Sequence, residues 1–138
     1  MPPNALALLA VMILLFPMVC FFLSSPAFLL VRLAVPEVTQ LLRAIVSGYF
    51  LAIGVAGAVA MVMLVASGRV VIALGAIAIS ILAVAVRRWL LRHIDAALLA
   101  RDGGAPTAVR RLRVLHVQGM LFNAFQLAVV MASVPLVA

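Results

Sequence analysis

The sequence contains no lysine and very little acid. All ten residues counted as Lys or Arg are arginine, and only three of the 138 residues are acidic: Glu37, Asp95 and Asp102. None of the three lies within a long apolar segment. A cation-coupled carrier usually needs a carboxylate inside the membrane, and Ser/His/Asp hydrolysis needs a buried acid. The scarcity of acids therefore argues against both classes, and we predict that the protein is not an enzyme.

Cysteine is equally scarce. The single residue, Cys20, lies inside an apolar segment, so the chain forms no intramolecular disulfide and no cysteine-based zinc site. We expect Cys20, and Ser80 in another apolar segment, to be small packing residues near the middle of a membrane.

The composition is dominated by apolar residues. The chain is 69% hydrophobic and 9% charged, with a mean hydropathy of +1.40, whereas a soluble domain is about half apolar and about a quarter charged. Four segments are long enough to span a bilayer. We predict an all-α membrane protein, a four-transmembrane-helix up-down bundle in a single domain with an extended third helix. The expected helices cover about 5–31, 36–67, 70–102 and 107–134.

The arginines are distributed unevenly between the connections. The first connection holds Arg32 and Arg43, and the connection of the second to the third segment holds only Arg69. The connection of the third to the fourth holds Arg87, Arg88, Arg92, Arg101, Arg110, Arg111 and Arg113. Because cytoplasmic loops collect Lys and Arg, we expect a multi-pass inner-membrane protein with both termini in the periplasm and the third helix extended into the cytoplasm. Anionic lipids are the expected counter-charge, and no nucleic acid is.

Local signals mark where the helices begin and bend. Asn4 and Thr107 are predicted N-caps, because a side-chain oxygen at that position accepts a free backbone N–H. Pro17 and Pro26 each remove a backbone donor and are expected to kink the first helix.

The fourth segment holds the most polar residues, namely His116, Asn123 and Gln126. Amide side chains within a transmembrane helix are expected to face other helices and to fix the register between helices by hydrogen bonds. The alternative is that Asn123 and Gln126 form a ligand or ion site.

Two histidines raise a cofactor hypothesis. Neutral imidazole is a good axial ligand, so haem or a pigment on His116 or His93 is an alternative. Their expected depths differ, with His93 clear of the membrane and His116 inside it. Interfacial hydrogen bonding is therefore favoured, and neither a cofactor nor a metal is predicted.

Rows of small residues, such as Gly54 and Gly57, allow helices in lipid to approach closely. They serve internal packing or docking to another subunit. The favoured function is thus a non-enzymatic accessory, structural or assembly subunit of a larger membrane complex, with other membrane subunits as partners. The alternatives are the haem- or pigment-binding protein and a small-molecule permeation or efflux element.

The segment Arg110–Asn123 carries a basic run, then Leu115-His116, then Leu121-Phe122-Asn123. It resembles the start of the last helix in a family of uncharacterised four-helix bacterial integral membrane proteins. That family is distantly similar to a eukaryotic transmembrane protein linked to drug resistance. The resemblance implies the same four-helix membrane fold and marks His116 and Asn123 as signature positions. It implies no biochemical role.

Overall fold

A computed structural model describes residues 3–137, and no strand occurs within that range. The predicted all-α fold class is therefore confirmed. The α-helices are α1 (Pro3–Ser24), α2 (Ala27–Leu30), α3 (Pro36–Ala66), α4 (Val70–Asp102) and α5 (Ala108–Ser133), followed by a 3-10 turn at Val134–Leu136.

Four helical units are long and apolar enough to cross a membrane. Taking α1 with α2 as one unit and α5 with the final turn as another, they contain 28, 31, 33 and 29 residues in chain order. A helix of about 20 residues already spans the hydrocarbon core. The chain is a multi-pass membrane protein.

The first unit differs from the single helix expected over about 5–31. The structure divides it at Ser25–Pro26, because Pro26 has no N–H to donate to the carbonyl one turn earlier. Pro17, by contrast, lies inside α1 without ending it. Asn4 also lies inside α1 and so does not have the predicted N-cap position.

A tight turn joins α3 to α4. Gly68 has a φ of +77°, the left-handed conformation that glycine adopts without steric cost. The N–H groups of Gly68 and Arg69 donate to the carbonyls of Val65 and Leu64, at 2.9 and 2.8 Å. So short a turn makes α3 and α4 antiparallel neighbours.

The four units pack as an up-down bundle in which each main contact joins neighbours around a ring. α3 packs most extensively on α4, α1 packs on α3 and α5, and α5 also packs on α4. Fully buried side chains from three helices, Phe21, Phe50 and Leu90, fill the middle of the ring.

α4 continues as one helix well past its apolar section. Leu90, Ile94 and Ala97 remain fully buried, and they pack this extension against the bundle. The extension and the two connections α2–α3 and α4–α5 lie at the same end of the molecule. We call this the arginine-rich end.

Candidate functional site

One face of α5 carries three buried polar side chains. His116, Asn123 and Gln126 are 1%, 0% and 1% exposed, and Gly119 lies on the same face. These positions are three or four residues apart, the spacing that places side chains on one side of a helix. The face is turned towards the bundle interior: His116 and Asn123 bond to the first unit, and Gly119 lies beside Leu90 of α4.

Two of these side chains donate hydrogen bonds to backbone carbonyls of the first unit. The Nε2 atom of His116 lies 2.9 Å from the Ser25 carbonyl oxygen, and the Asn123 amide nitrogen lies 3.0 Å from the Met18 carbonyl oxygen. Because a carbonyl only accepts, Nε2 carries the proton of the neutral imidazole. His116 and Asn123 therefore fix the register between α1 and α5.

The carbonyls that α5 contacts do not include the one that Pro26 leaves without a donor. Pro26 removes the donor of the Phe22 carbonyl one turn earlier, whereas the Ser25 carbonyl also accepts from the Phe28 N–H at 3.0 Å. Beyond the break, the Arg113 guanidinium donates to the Leu29 carbonyl at 3.2 Å. α5 thus contacts carbonyls on both sides of the break.

Several buried polar atoms on this face and beside it have no partner among residues 3–137. They include Asn123 Oδ1, His116 Nδ1 and Ser25 Oγ, and both amide atoms of Gln126. An unpaired buried polar group costs about 1–3 kcal/mol. Asn123 forms the expected interhelical bond, whereas Gln126 is buried as expected but forms none.

His93 lies in a different environment from His116. Its Nδ1 atom is 2.8 Å from the Trp89 carbonyl oxygen one turn earlier, and its ring lies 4.4 Å from the Trp89 ring. The His116 ring instead contacts Phe28, with 5.7 Å between ring centres. The two histidines share no contact residue in these interactions, so the structure assigns them separate local roles.

Ser80 lies in the α3–α4 contact. It is buried, and its hydroxyl donates to the Gly54 carbonyl. A Cβ atom placed on Gly57 would lie 2.9 Å from Ser80 Oγ and 3.0 Å from the Ala76 carbonyl oxygen. Only glycine at position 57 lets α3 and α4 approach this closely. Cys20, in contrast, is partly buried and lines a groove between α1 and α3.

A cavity of about 210 Å³ lies between the helices, towards the end opposite the arginine-rich end. It is lined by Val11, Leu14, Ala60, Leu64, Val71, Ile72, Gly75, Ala76, Ile79, Val129, Val130, Ser133 and Leu136. Its one polar side chain, Ser133, donates to the Val130 carbonyl of its own helix at 2.6 Å. The cavity therefore lacks the convergent polar groups that orient a ligand.

Four arginines bond to the protein at the arginine-rich end. Besides Arg113, the Arg87 guanidinium donates to the Ser47 hydroxyl at 2.7 Å. Arg101 donates to the Thr39 hydroxyl at 2.7 Å. These bonds brace α4 against α3.

The fourth of these arginines, Arg43, forms an ion pair with Asp95. Two bonds of 2.5 and 3.0 Å join its guanidinium to the two carboxylate oxygens. At the opposite end Arg69 donates to Asn4 Oδ1 at 2.9 Å and to the Leu136 carbonyl, which ties both chain ends to the α3–α4 turn. Sequence reasoning missed both sets of contacts, because they join residues far apart in the chain.

The remaining arginines of the arginine-rich end form no side-chain hydrogen bond within residues 3–137. They are Arg32, Arg88, Arg92, Arg110 and Arg111, all of them exposed. Their positive charges are available to molecules outside the chain.

Fold and site together define a multi-pass membrane protein whose interior polar groups connect helices to one another. No family model, no curated protein and no solved structure matches the chain. The resemblance of the Arg110–Asn123 segment to the four-helix bacterial family therefore stays a prediction.

Proposed function

We propose that this protein is a non-enzymatic accessory or assembly subunit of a larger membrane complex. We place it in the inner membrane of a bacterium, with the arginine-rich end in the cytoplasm and both termini in the periplasm. The observation that carries the proposal is a row of small residues on α3 that faces away from the bundle.

The row consists of Ala44, Gly48 and Ala52, four residues apart and all exposed. A Cβ atom placed on Gly48 would meet nothing within 4 Å, so no other part of the bundle uses this surface. Small residues at four-residue spacing allow two transmembrane helices to approach closely. Ala52 continues the row into the groove between α1 and α3, which also contains Tyr49. We assign this outward row to a transmembrane helix of a partner subunit.

The three acids of the chain support a non-enzymatic role, and one of them, Glu37, lies exposed in the first turn of α3. Asp95 is paired with Arg43, and Asp102 accepts from Arg101 at 2.9 Å. Both belong to the α4 extension, so neither approaches the buried face of α5. General acid–base catalysis needs such a group within reach of a substrate.

The two alternatives draw less support from the geometry. Haem or pigment ligation through Nε2 of His116 would require this atom to release the Ser25 carbonyl. Permeation would require a path to Asn123 and Gln126, whose side chains are enclosed by the bundle.

Co-purification from native membranes tests the proposed subunit role. Gly48→Leu fills the outward row and should release the partner, whereas the bundle itself stays folded because the site is open. Ala85→Leu is the matched control: it adds the same side chain at an exposed α4 position with bulky residues one turn away on either side. Recovery of the protein alone in several mild detergents, without any stoichiometric partner, would contradict the proposal.

The proposed orientation is tested separately with single cysteines. Cys20→Ser removes the native thiol, after which a cysteine is placed at Ser67, in the α3–α4 turn, or at Gly103, just after α4, where a Cβ atom makes only ordinary contacts. A membrane-impermeant maleimide should label Ser67→Cys in spheroplasts, and should label Gly103→Cys only after the membrane is opened. The opposite labelling pattern would place the arginine-rich end outside the cytoplasm.

A further inference from the structure

The outer face of α5 carries two grooves that follow one another along the helix. The first, about 350 Å³, lies at the arginine-rich end and is lined by Thr107, Arg110, Arg111 and Val114. The second, about 530 Å³, is lined by Gln118, Leu121, Phe122 and Phe125 of α5 and by Trp89 of α4. Successive α5 residues of both sets are three or four positions apart or adjacent, so they form one continuous strip.

The first groove lacks a counter-charge. Arg110 and Arg111 are exposed and form no side-chain hydrogen bond within residues 3–137, and the first turn of α5 contains no acid. Thr107, which the sequence predicted as an N-cap, makes no side-chain capping bond. Two arginines at the positive end of a helix dipole repel that dipole, and a bound anion relieves the repulsion. Arginine binds phosphate with parallel hydrogen bonds.

The second groove is apolar and aromatic. Leu121 and Phe125 are 64% and 63% exposed, and the Trp89 and Phe122 rings meet edge to face with 6.4 Å between their centres. Gln118 is the only amide in the lining, and it lies at the edge nearest the arginines. An acyl chain fits such a surface, while the amide can donate to an ester carbonyl above it.

The length of the strip matches a membrane lipid. Arg111 and Phe125 are 14 positions apart in the sequence, which at 1.5 Å per residue is about 21 Å. Half of a bilayer, from head group to midplane, measures about 20–22 Å. A single lipid lying along α5 therefore reaches from the two arginines to the end of the aromatic groove.

We propose that this strip is a binding site for one anionic glycerophospholipid. Its phosphodiester lies between Arg110 and Arg111, its ester carbonyls face Gln118, and its acyl chains cover Leu121 and Phe125. The site depends on the membrane class of the protein and not on the proposed subunit role, so either proposal stands if the other fails.

Trp89 provides the test, because it is the only tryptophan in the chain and lines the acyl groove. The purified protein is reconstituted in phosphatidylcholine vesicles containing a small fraction of brominated-chain lipid, which quenches tryptophan on contact. Brominated phosphatidylglycerol should quench Trp89 more than brominated phosphatidylcholine does. Each arginine is expected to raise the affinity for phosphatidylglycerol relative to phosphatidylcholine about fivefold, or about 25-fold for the pair.

Two double variants sharpen the test. Arg110→Gln/Arg111→Gln should reduce the preference to near one, whereas Arg32→Gln/Arg88→Gln removes the same charge elsewhere and should retain most of it. Excess inorganic phosphate should leave the quenching largely unchanged, because the acyl groove holds the rest of the lipid. Equal quenching by the two brominated lipids, equal loss in both double variants, or full displacement by phosphate would each overturn the proposal.

Discussion

The α3–α4 contact and the α1–α5 contact are held together by different means. Between α3 and α4, the small residues Gly54, Gly57, Ala76 and Ser80 allow close backbone contact. No hydrophobic effect drives helices together in lipid, so close van der Waals packing of small residues does this work.

Between the first helical unit and α5, polar side chains make the contact instead. α1 ends at Ser24, beside the break, and the carbonyls of Met18 and Ser25 are contacted by Asn123 and His116 of α5. The contrast shows two ways of joining neighbouring helices: small side chains that allow close backbone contact, and polar side chains that bond to backbone carbonyls of the neighbour. Three substitutions test this contrast, beginning with the largest effect.

Gly57→Leu should be the most damaging change, with a loss of about 3 kcal/mol in the free energy of unfolding. The new side chain would overlap Ser80 and the Ala76 backbone, which cannot move without separating α4 from α3. Unfolding by SDS in mixed micelles measures the loss. Gly48→Leu is the control, since its site is open, and it should stay within about 0.5 kcal/mol of the wild-type value. Equal losses at the two glycines would show that close α3–α4 packing is not the source of stability.

Gln126→Met should raise the free energy of unfolding by about 1 kcal/mol. The substitution keeps an unbranched side chain but removes two buried amide atoms that have no partner, and unpaired buried groups of this kind cost about 1–3 kcal/mol. The same SDS titration detects the gain. A loss of more than 1 kcal/mol would mean that Gln126 forms a stabilising bond in the folded protein.

Asn123→Leu should have the smallest effect, a loss of about 0.6 kcal/mol, the average for hydrogen bonds between helices in membranes. It removes the bond to the Met18 carbonyl while preserving the branched shape of the side chain. The SDS titrations of Asn123→Leu and Gln126→Met are compared directly, because the two amides lie on one face of α5 and only that of Asn123 is hydrogen-bonded. Shifts of the same sign and size would show that pairing to α1 does not distinguish them.

Hydropathy and proline chemistry predicted most of the fold. The third expected helix, at about 70–102, is observed as α4 at Val70–Asp102. The second, expected from residue 36, is observed as α3, which begins at Pro36. Apolar runs define spans because lipid requires every backbone group to be satisfied within a helix. A proline at the first helical position costs no hydrogen bond, which is why a helix can begin at Pro36.

The candidate site was less predictable. The sequence indicated that Asn123 and Gln126 face other helices, but not that only Asn123 reaches a carbonyl. That difference depends on the axial offset between α1 and α5, which hydropathy does not encode. The Arg43–Asp95 pair, between residues 52 positions apart, could not be predicted for a similar reason. Its geometry depends on how α4 slides along α3.

The central claim is that buried polar residues hold the helices in place while contact with other molecules occurs on the outer surface. Co-purification of Gln126→Met from native membranes tests it most directly, because this substitution changes only the interior. The account predicts a folded protein that retains every partner recovered with the wild type. A folded Gln126→Met protein that has lost its partners would contradict the account and place the functional site on the buried face of α5.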